Sequence, residues 1–160
     1  MKATMLAFDL IRSGSADTVL SGGMESMSNA PYLLANARSG LRMGHSDTRD
    51  SLFTDGLEDA ETGDSMGSFA QETADKYQLT REEMDEYAIE SVNRSQTAIQ
   101  NCSLETEIAA MEVKGEKIVD DEQPGKAKLD KIPTLRPAFK AGGTITSSNS
   151  SSNSDEASAF

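Results

Sequence analysis

Ser21-Gly22-Gly23-Met24-Glu25-Ser26-Met27-Ser28 is the stretch on which the fold turns. It follows a short apolar run, Thr18-Val19-Leu20, and the segment Asp17 to Leu20 reads as a short buried strand. Paired glycines directly after such a strand imply that the backbone passes close to something else, or bends where a side chain would not fit. Upstream, Met1 to Ile11 places apolar residues on nearly every side (Met1, Ala3, Met5, Leu6, Ala7, Phe8, Leu10 and Ile11), the pattern of a helix buried all round. Ser13-Gly14 ends it. A buried helix and one strand cannot shield each other. They need further sheet and helices, which the neighbouring sequence does not supply.

Composition bounds what the chain does. Its 160 residues are enough for a domain with a real core, and its formal charge of −12 argues against a nucleic-acid or anionic-membrane partner. No apolar run is long enough to span a bilayer, and the N-terminus lacks the pattern of a secretory signal. A lone cysteine, Cys102, excludes an internal disulfide framework and agrees with a reducing, cytoplasmic setting. With 26% charged and 5% aromatic residues, the expected core is aliphatic and modest. Acids dominate from Asp47 to Glu90, whereas Lys126, Lys128, Lys131, Arg136 and Lys140 face Asp130 alone further on. That basic segment reads either as a solvated loop or as a landing place for a phosphorylated ligand on an otherwise repelling surface.

Downstream of the glycines, Ala30 to Asp64 is rich in loop punctuation. The spacing predicts a helix over Met66 to Tyr77, with Met66, Phe69, Ala70, Ala74 and Tyr77 on one face. Thr80-Arg81-Glu82-Glu83 is a capping box, and it opens the clearest element of the chain, with Met84, Tyr87, Ala88, Val92, Ser95, Ala98 and Ile99 at helical spacing. Ile108 to Val113 reads as a strand with Ile118-Val119 as a short return, and Pro124, Pro133 and Pro137 break up an extended basic segment. Composition alone makes Gly142 to Ser154 a flexible linker. His45 lies in a loop without companion ligands, so no metal site is expected. Proteolysis is expected to remove Met1 to Gly23 and the tail beyond Gly142 first, with Met66 to Val119 resisting longest.

Several blocks, in order, resemble the thiolase family. They are Gly22-Gly23-Met24-Glu25-Ser26-Met27-Ser28 with Pro31, Asp55-Gly56-Leu57-Glu58-Asp59, Met66-Gly67-Ser68-Phe69-Ala70-Gln71, and Thr80 to Ala88. Asp121-Glu122-Gln123-Pro124, Leu135-Arg136-Pro137-Ala138-Phe139, Gly143-Thr144-Ile145-Thr146 and Asn149-Ser150-Ser151 with Asp155 complete the set. Each block is weak alone; in register they are specific, and they cover essentially the whole chain. A ketoacyl synthase of the same fold fits the Asp55 to Asp59 block and the capping-box helix much less well.

The resemblance implies an α/β fold, thiolase-like and partial: one buried helix and strand of a layered domain, plus an α+β loop-domain insertion. It divides the chain into residues 1–26 (remnant of the N-terminal domain), 27–152 (loop domain covering acyl-CoA) and 153–160 (the return into the N-terminal domain). Family members are acyl-CoA C-acyltransferases that condense or cleave 3-ketoacyl-CoA through a cysteine acyl-enzyme, in fatty acid metabolism among other settings. Their reactive cysteine opens the helix that Met1 to Phe8 resembles, so the nucleophile is expected just upstream of Met1, in a partial reading frame begun at an internal methionine. The histidine, oxyanion and second-cysteine motifs have no counterpart here. No catalytic residue is therefore carried over, and the chain alone is expected to be inactive. Cys102 sits where the family often has a small residue such as glycine, and it has no histidine near it in sequence.

What the resemblance does carry over is contact with CoA as substrate. Leu57 and Met66 match positions lining the pantetheine channel; Phe139, Ser147 and Ser151 match positions beside the ligand, with Ser151 the best candidate for a polar contact. Lys126 and Lys131, with Lys128, would meet its phosphates. Met66 serves equally well as helix core. Under this reading the Ser-rich tail becomes a tight loop against the ligand. The parent is expected to be a homo-oligomer, dimer or tetramer, the latter assembled through the region of Tyr32 to Asp50. Departures are Ser65 where a histidine is common, no clean counterpart of the nucleotide arginine near Gln123 to Lys126, and Glu156 in place of a close-packed glycine at an expected helix start. A rival of another class is a non-catalytic CoA-binding or interaction module derived from the loop domain.

Overall fold

Residues 1–160 are all described by a computed structural model. In chain order the elements are α1 (Lys2–Arg12), β1 (Gly22–Ser26), β2 (Tyr32–Leu34), β3 (Thr48–Asp50), α2 (Met66–Tyr77), α3 (Arg81–Gln100), β4 (Met111–Val113), β5 (Glu116–Ile118), α4 (Glu122–Lys126) and β6 (Asp155–Ala159). They form two compact units. One comprises Met1–Ser65 with Ser152–Phe160, the other Met66–Ser151.

In the first unit β1 pairs antiparallel with β6, with Gly22 opposite Ala159 and Ser26 opposite Asp155. The strand therefore lies over the glycines and not over Asp17 to Leu20, which is irregular and leaves Leu20 exposed. The physical reason is long-range: the partner strand comes from the far end of the chain and pairs only from Ser21 onward, where Ser21 and Phe160 exchange N–H···O bonds at 3.0 and 2.7 Å. A side chain at Gly22 would collide with the carbonyl oxygen of Ser158, so the close approach expected of the paired glycines is realised at Gly22, while Gly23 is open. The segment expected to open a helix at Asp155 is β6 instead, and Glu156 stands on it directly across from Glu25. The Asp155 carboxylate accepts the N–H of Ser28 at 2.9 Å, fixing the turn that leaves β1.

The helix α1 forms where its apolar pattern predicts, yet only Ala7 is buried; Met5, Leu6, Phe8, Leu10 and Ile11 are exposed. The Ser21 hydroxyl donates to Thr4 Oγ1 at 3.3 Å, tying the helix to the entry of β1. The expectation of burial all round is thus not met within this unit. Beyond β1, β2 and β3 pair as a short antiparallel ribbon, and Phe53–Leu57 makes a single π-helical turn. Asp59 then caps the following turn, its Oδ2 accepting the N–H of Glu61 at 3.1 Å and of Thr62 at 2.8 Å.

The second unit is built on α2 and α3. The capping box is formed as predicted: Glu83 N–H donates to Thr80 Oγ1 at 3.2 Å, and Thr80 N–H donates to Glu83 Oε2 at 2.9 Å. The buried face of α2 meets the predicted one at Ala74 and half-buried Phe69 but is turned toward Gln71. Gln71 and Ala74 are buried, whereas Met66, Ala70 and Tyr77 are exposed, because α2 is covered by the Phe139 ring at Gly67 and by the turn after Gly142, whose N–H groups give Gln71 polar partners. On α3 the predicted stripe is largely covered around buried Ala88, but Tyr87 faces solvent and Asp85 takes a buried place. Arg81 explains Asp85: its Nε donates to Asp85 Oδ2 at 2.7 Å, and its Nη2 donates to the carbonyls of Ile132 and Leu135, both at 3.0 Å.

Three helices end alike. Just past each end one residue in the left-handed region donates its N–H three residues back and the next donates five back: Gly14 after α1, Gln78 after α2 and Cys102 after α3, at φ of 71°, 54° and 53°. The hairpin of β4 and β5 turns through Lys114 and Gly115, both left-handed, as a two-residue hairpin requires. The basic segment is not extended. Pro124 sits inside α4, and Leu129–Thr134 winds as a 3₁₀ helix whose Ile132 is buried.

Candidate functional site

The expected ligand-contact residues divide between the units. Leu57 closes the π turn in the first unit, half-buried, and borders a cavity of about 350 Å³ lined by Met27, Pro31, Leu52 and Asp55 among others. The end of the diglycine block and the Asp55-Gly56-Leu57 block thus share one concavity. Its wall is mixed: apolar Met27, Pro31 and Leu52 stand beside the carboxylates of Glu25 and Asp55.

The other six residues lie in the second unit. Met66 opens α2 and remains 43% exposed, so it serves there as a surface residue and not as helix core. Beside it in the chain, Gly67 accepts the ring of Phe139: a β-carbon at Gly67 would lie on the ring atoms. The Met66 to Gln71 and Leu135 to Phe139 blocks are therefore in contact, which sequence alone did not show. Phe139 keeps 42% of its surface open.

Lys126 and Lys131 belong to a segment docked along α3. Besides the Arg81 bonds, Gln96 Nε2 donates to the Pro124 carbonyl at 2.8 Å. Lys126 is engaged with Glu122 at 2.6 Å, and Lys140 with Asp75 at 2.6 Å. Lys128, Lys131 and Arg136 are exposed and carry no ion pair, so the positive field of this face rests on them. Lys140 and Gln71, both bonded to Asp75, hold its carboxyl below the usual aspartate range.

The tail that composition makes a linker is an ordered turn. Thr146 is fully buried and Ile145 is 4% exposed. Asn149 closes the turn, its Oδ1 accepting the Thr146 N–H at 2.8 Å and its Nδ2 donating to the Thr144 carbonyl at 3.1 Å. Ser150 Oγ donates to the Thr146 carbonyl at 2.7 Å, and the Ala138 N–H donates to the Ile145 carbonyl at 2.9 Å. Ser147 and Ser151 are exposed on this turn. Hydrogen bonds satisfied within the loop override the solvation that a Ser/Gly-rich composition would favour.

Gln71 and Asn149, which organise that turn, were not singled out as site residues by sequence reasoning. A signal existed for Gln71: helical spacing puts it on one face with Gly67 and Ala74, and a polar residue on a covered face needs partners. The single cysteine, Cys102, is exposed at the carboxyl end of α3, the end carrying the negative partial charge. His45 is an exposed loop residue, and no three His, Cys, Asp or Glu side chains cluster as a metal site. No helix is long and apolar enough to cross a membrane.

Comparison with known proteins covers the same residues. The family model for the thiolase N-terminal domain matches residues 1–160. Acetyl-CoA acetyltransferase 2 of Arabidopsis thaliana is 46% identical over 167 residues, covering 100% of this chain and 41% of that protein. Among solved structures, an acetyl-CoA acetyltransferase from Syntrophomonas wolfei superposes with a TM-score of 0.90 at 41% identity, over 99% of this chain and 40% of that one. Human mitochondrial 3-ketoacyl-CoA thiolase in complex with CoA superposes with a TM-score of 0.89 at 35% identity, over 99% of this chain and 40% of that one. The chain thus spans about 40% of the length of the relatives it matches.

Proposed function

The chain belongs to the thiolase family, and we propose that it is the acyl-CoA-covering part of an acyl-CoA C-acyltransferase that condenses or cleaves 3-ketoacyl-CoA through a cysteine acyl-enzyme. Residues 1–26 and 153–160 belong to the layered N-terminal domain, and 27–152 form the loop domain over the ligand; the pairing of β1 with β6 supports putting the two outer segments together. Leu57, Met66 and Phe139 line the pantetheine arm, a thin and partly apolar group that needs an apolar slot with a few placed hydrogen bonds. Ser147 and Ser151 supply hydroxyls from the ordered turn. Lys131 meets the phosphates, and Lys126 joins it when it leaves Glu122. The parent assembles as a homo-oligomer and works in the cytoplasm.

The observation that carries this reading is the fit along 99% of the chain to a thiolase whose structure holds CoA. Acyl transfer itself is assigned to no residue here. Cys102, exposed at a helix carboxyl end, has none of the surroundings that activate a thiol nucleophile. Calorimetry of the purified chain with CoA, alongside an acetoacetyl-CoA thiolysis assay, tests both halves. Saturable CoA binding without turnover is expected. Turnover by the chain alone would sink the assignment of catalysis elsewhere, and absence of binding would sink the CoA-contact assignment. The alternative of a non-catalytic CoA-binding module shares the expected outcome, and adding the remainder of a thiolase chain separates the two, since only a true cover restores thiolysis.

A further inference from the structure

Gln71 uses every hydrogen-bonding position of its amide while only 3% exposed. Its Oε1 accepts the N–H of Thr144 at 2.9 Å and of Ile145 at 3.1 Å. Its Nε2 donates to Asp75 Oδ1 at 2.9 Å and to Thr144 Oγ1 at 3.3 Å. The orientation of the amide follows from those partners, since two N–H groups converge on one end and a carboxylate stands at the other. Asp75 is held in turn by Lys140, its Oδ2 accepting from Nζ at 2.6 Å. The turn after Gly143 is therefore fastened at its start by a side chain from the second turn of α2, and at its finish by Asn149. Gly143 has no room for a β-carbon because the Gln71 carbonyl lies there.

We propose that Gln71 is the positioning residue of the ligand-contact turn: by anchoring Thr144 and Ile145 it fixes the backbone from which Ser147 and Ser151 reach the pantetheine arm of CoA. The inference rests on the CoA reading above for its ligand and on geometry for its mechanism. No other side chain bonds the N–H groups of both Thr144 and Ile145. Ile145 is buried, so its amide has no water to turn to when the glutamine is lost. A methionine of similar volume keeps the packing and leaves both amides without partners.

The test uses the full chain and two readouts, amide hydrogen exchange and CoA calorimetry, with the amides around Ala88 on α3 as internal reference. Gln71→Met is expected to speed exchange at Thr144 and Ile145 by about tenfold or more while α3 stays protected, and to weaken CoA by about tenfold. Gln71→Glu keeps the two acceptor bonds but sets a carboxylate against Asp75, and should fall between. The double variant Gln71→Glu/Asp75→Asn exchanges donor and acceptor along that bond and should recover both readouts, which a lost packing contact would not. Should Gln71→Met also unfold α3, the Glu variant and its rescue carry the comparison. Unchanged exchange at Thr144 and Ile145, or a CoA-binding chain whose substituted forms keep full affinity, overturns the inference alone. Failure of the unsubstituted chain to bind CoA overturns the CoA reading and this ligand assignment with it, while exchange still decides what holds the turn.

Discussion

At the scale of single residues, two positions carry opposite expectations. Gly67 has the Phe139 ring where a β-carbon would go, so Gly67→Ala must displace the ring or the helix. Overpacking of this kind costs about 1–3 kcal/mol, and the loss should appear as a lower denaturation midpoint at unchanged slope. Cys102 sits in the left-handed region at φ 53°, within a helix ending made for glycine. Cys102→Gly should raise stability by about 1 kcal/mol, read by the same denaturant titration. An unchanged midpoint would mean that the backbone there is not held left-handed in solution. The bare sequence marks Cys102 as a helix-end turn, because helical periodicity stops there. It could not mark Gly67, whose partner lies far along the chain.

At the scale of elements, α3 depends on its opening. Removing the cap with Thr80→Ala should cost about 1 kcal/mol. The same cap makes stability fall in acid. The Thr80 backbone N–H, then its hydroxyl, hold the Glu83 carboxyl below the usual glutamate range. A depressed carboxyl contributes stability that is complete above its unfolded pKa, about 4.3, and is lost as pH falls through the lower folded value. Helical circular dichroism followed from pH 6 downward should therefore drop earlier and further for the unsubstituted chain than for Glu83→Gln, whose cap is pH-independent; parallel curves would refute this. On the β1–β6 ladder Glu25 and Glu156 face each other, like charges that cost roughly 0.2–1 kcal/mol. Glu156→Lys should recover that amount in thermal unfolding, less so at high salt. Legibility follows from range at this scale. The bounds of α2 and the cap of α3 are written in adjacent residues and are legible; the β4–β5 hairpin is legible as a hairpin, but its strands are Met111–Val113 and Glu116–Ile118, shorter at the start than Ile108 to Val113 and earlier than Ile118-Val119. β1 and β6 are not legible in this way, because each strand exists only through a partner at the opposite end of the chain. The site shows the same divide: the polar turn after Gly142 became legible as an ordered loop only through a family likeness, since its anchor, Gln71, is on a distant helix.

At the scale of the molecule, burial within the two units is sparse. Only five apolar side chains are buried: Ala7, Ala74, Ala88, Ile132 and Ile145. Stability is thus carried unevenly. Limited proteolysis should spare Met66 to Ser151 while cutting α1 and the ribbon of β2 and β3, which extends the resistant core beyond Val119 because the turn through Ser151 is fastened to α2. Early cleavage between Gly142 and Ser151 would show that the fastening is weak. The bare, greasy sides of α1 are lodging places for further apolar structure, and whatever shields them governs how readily a protease reaches that helix.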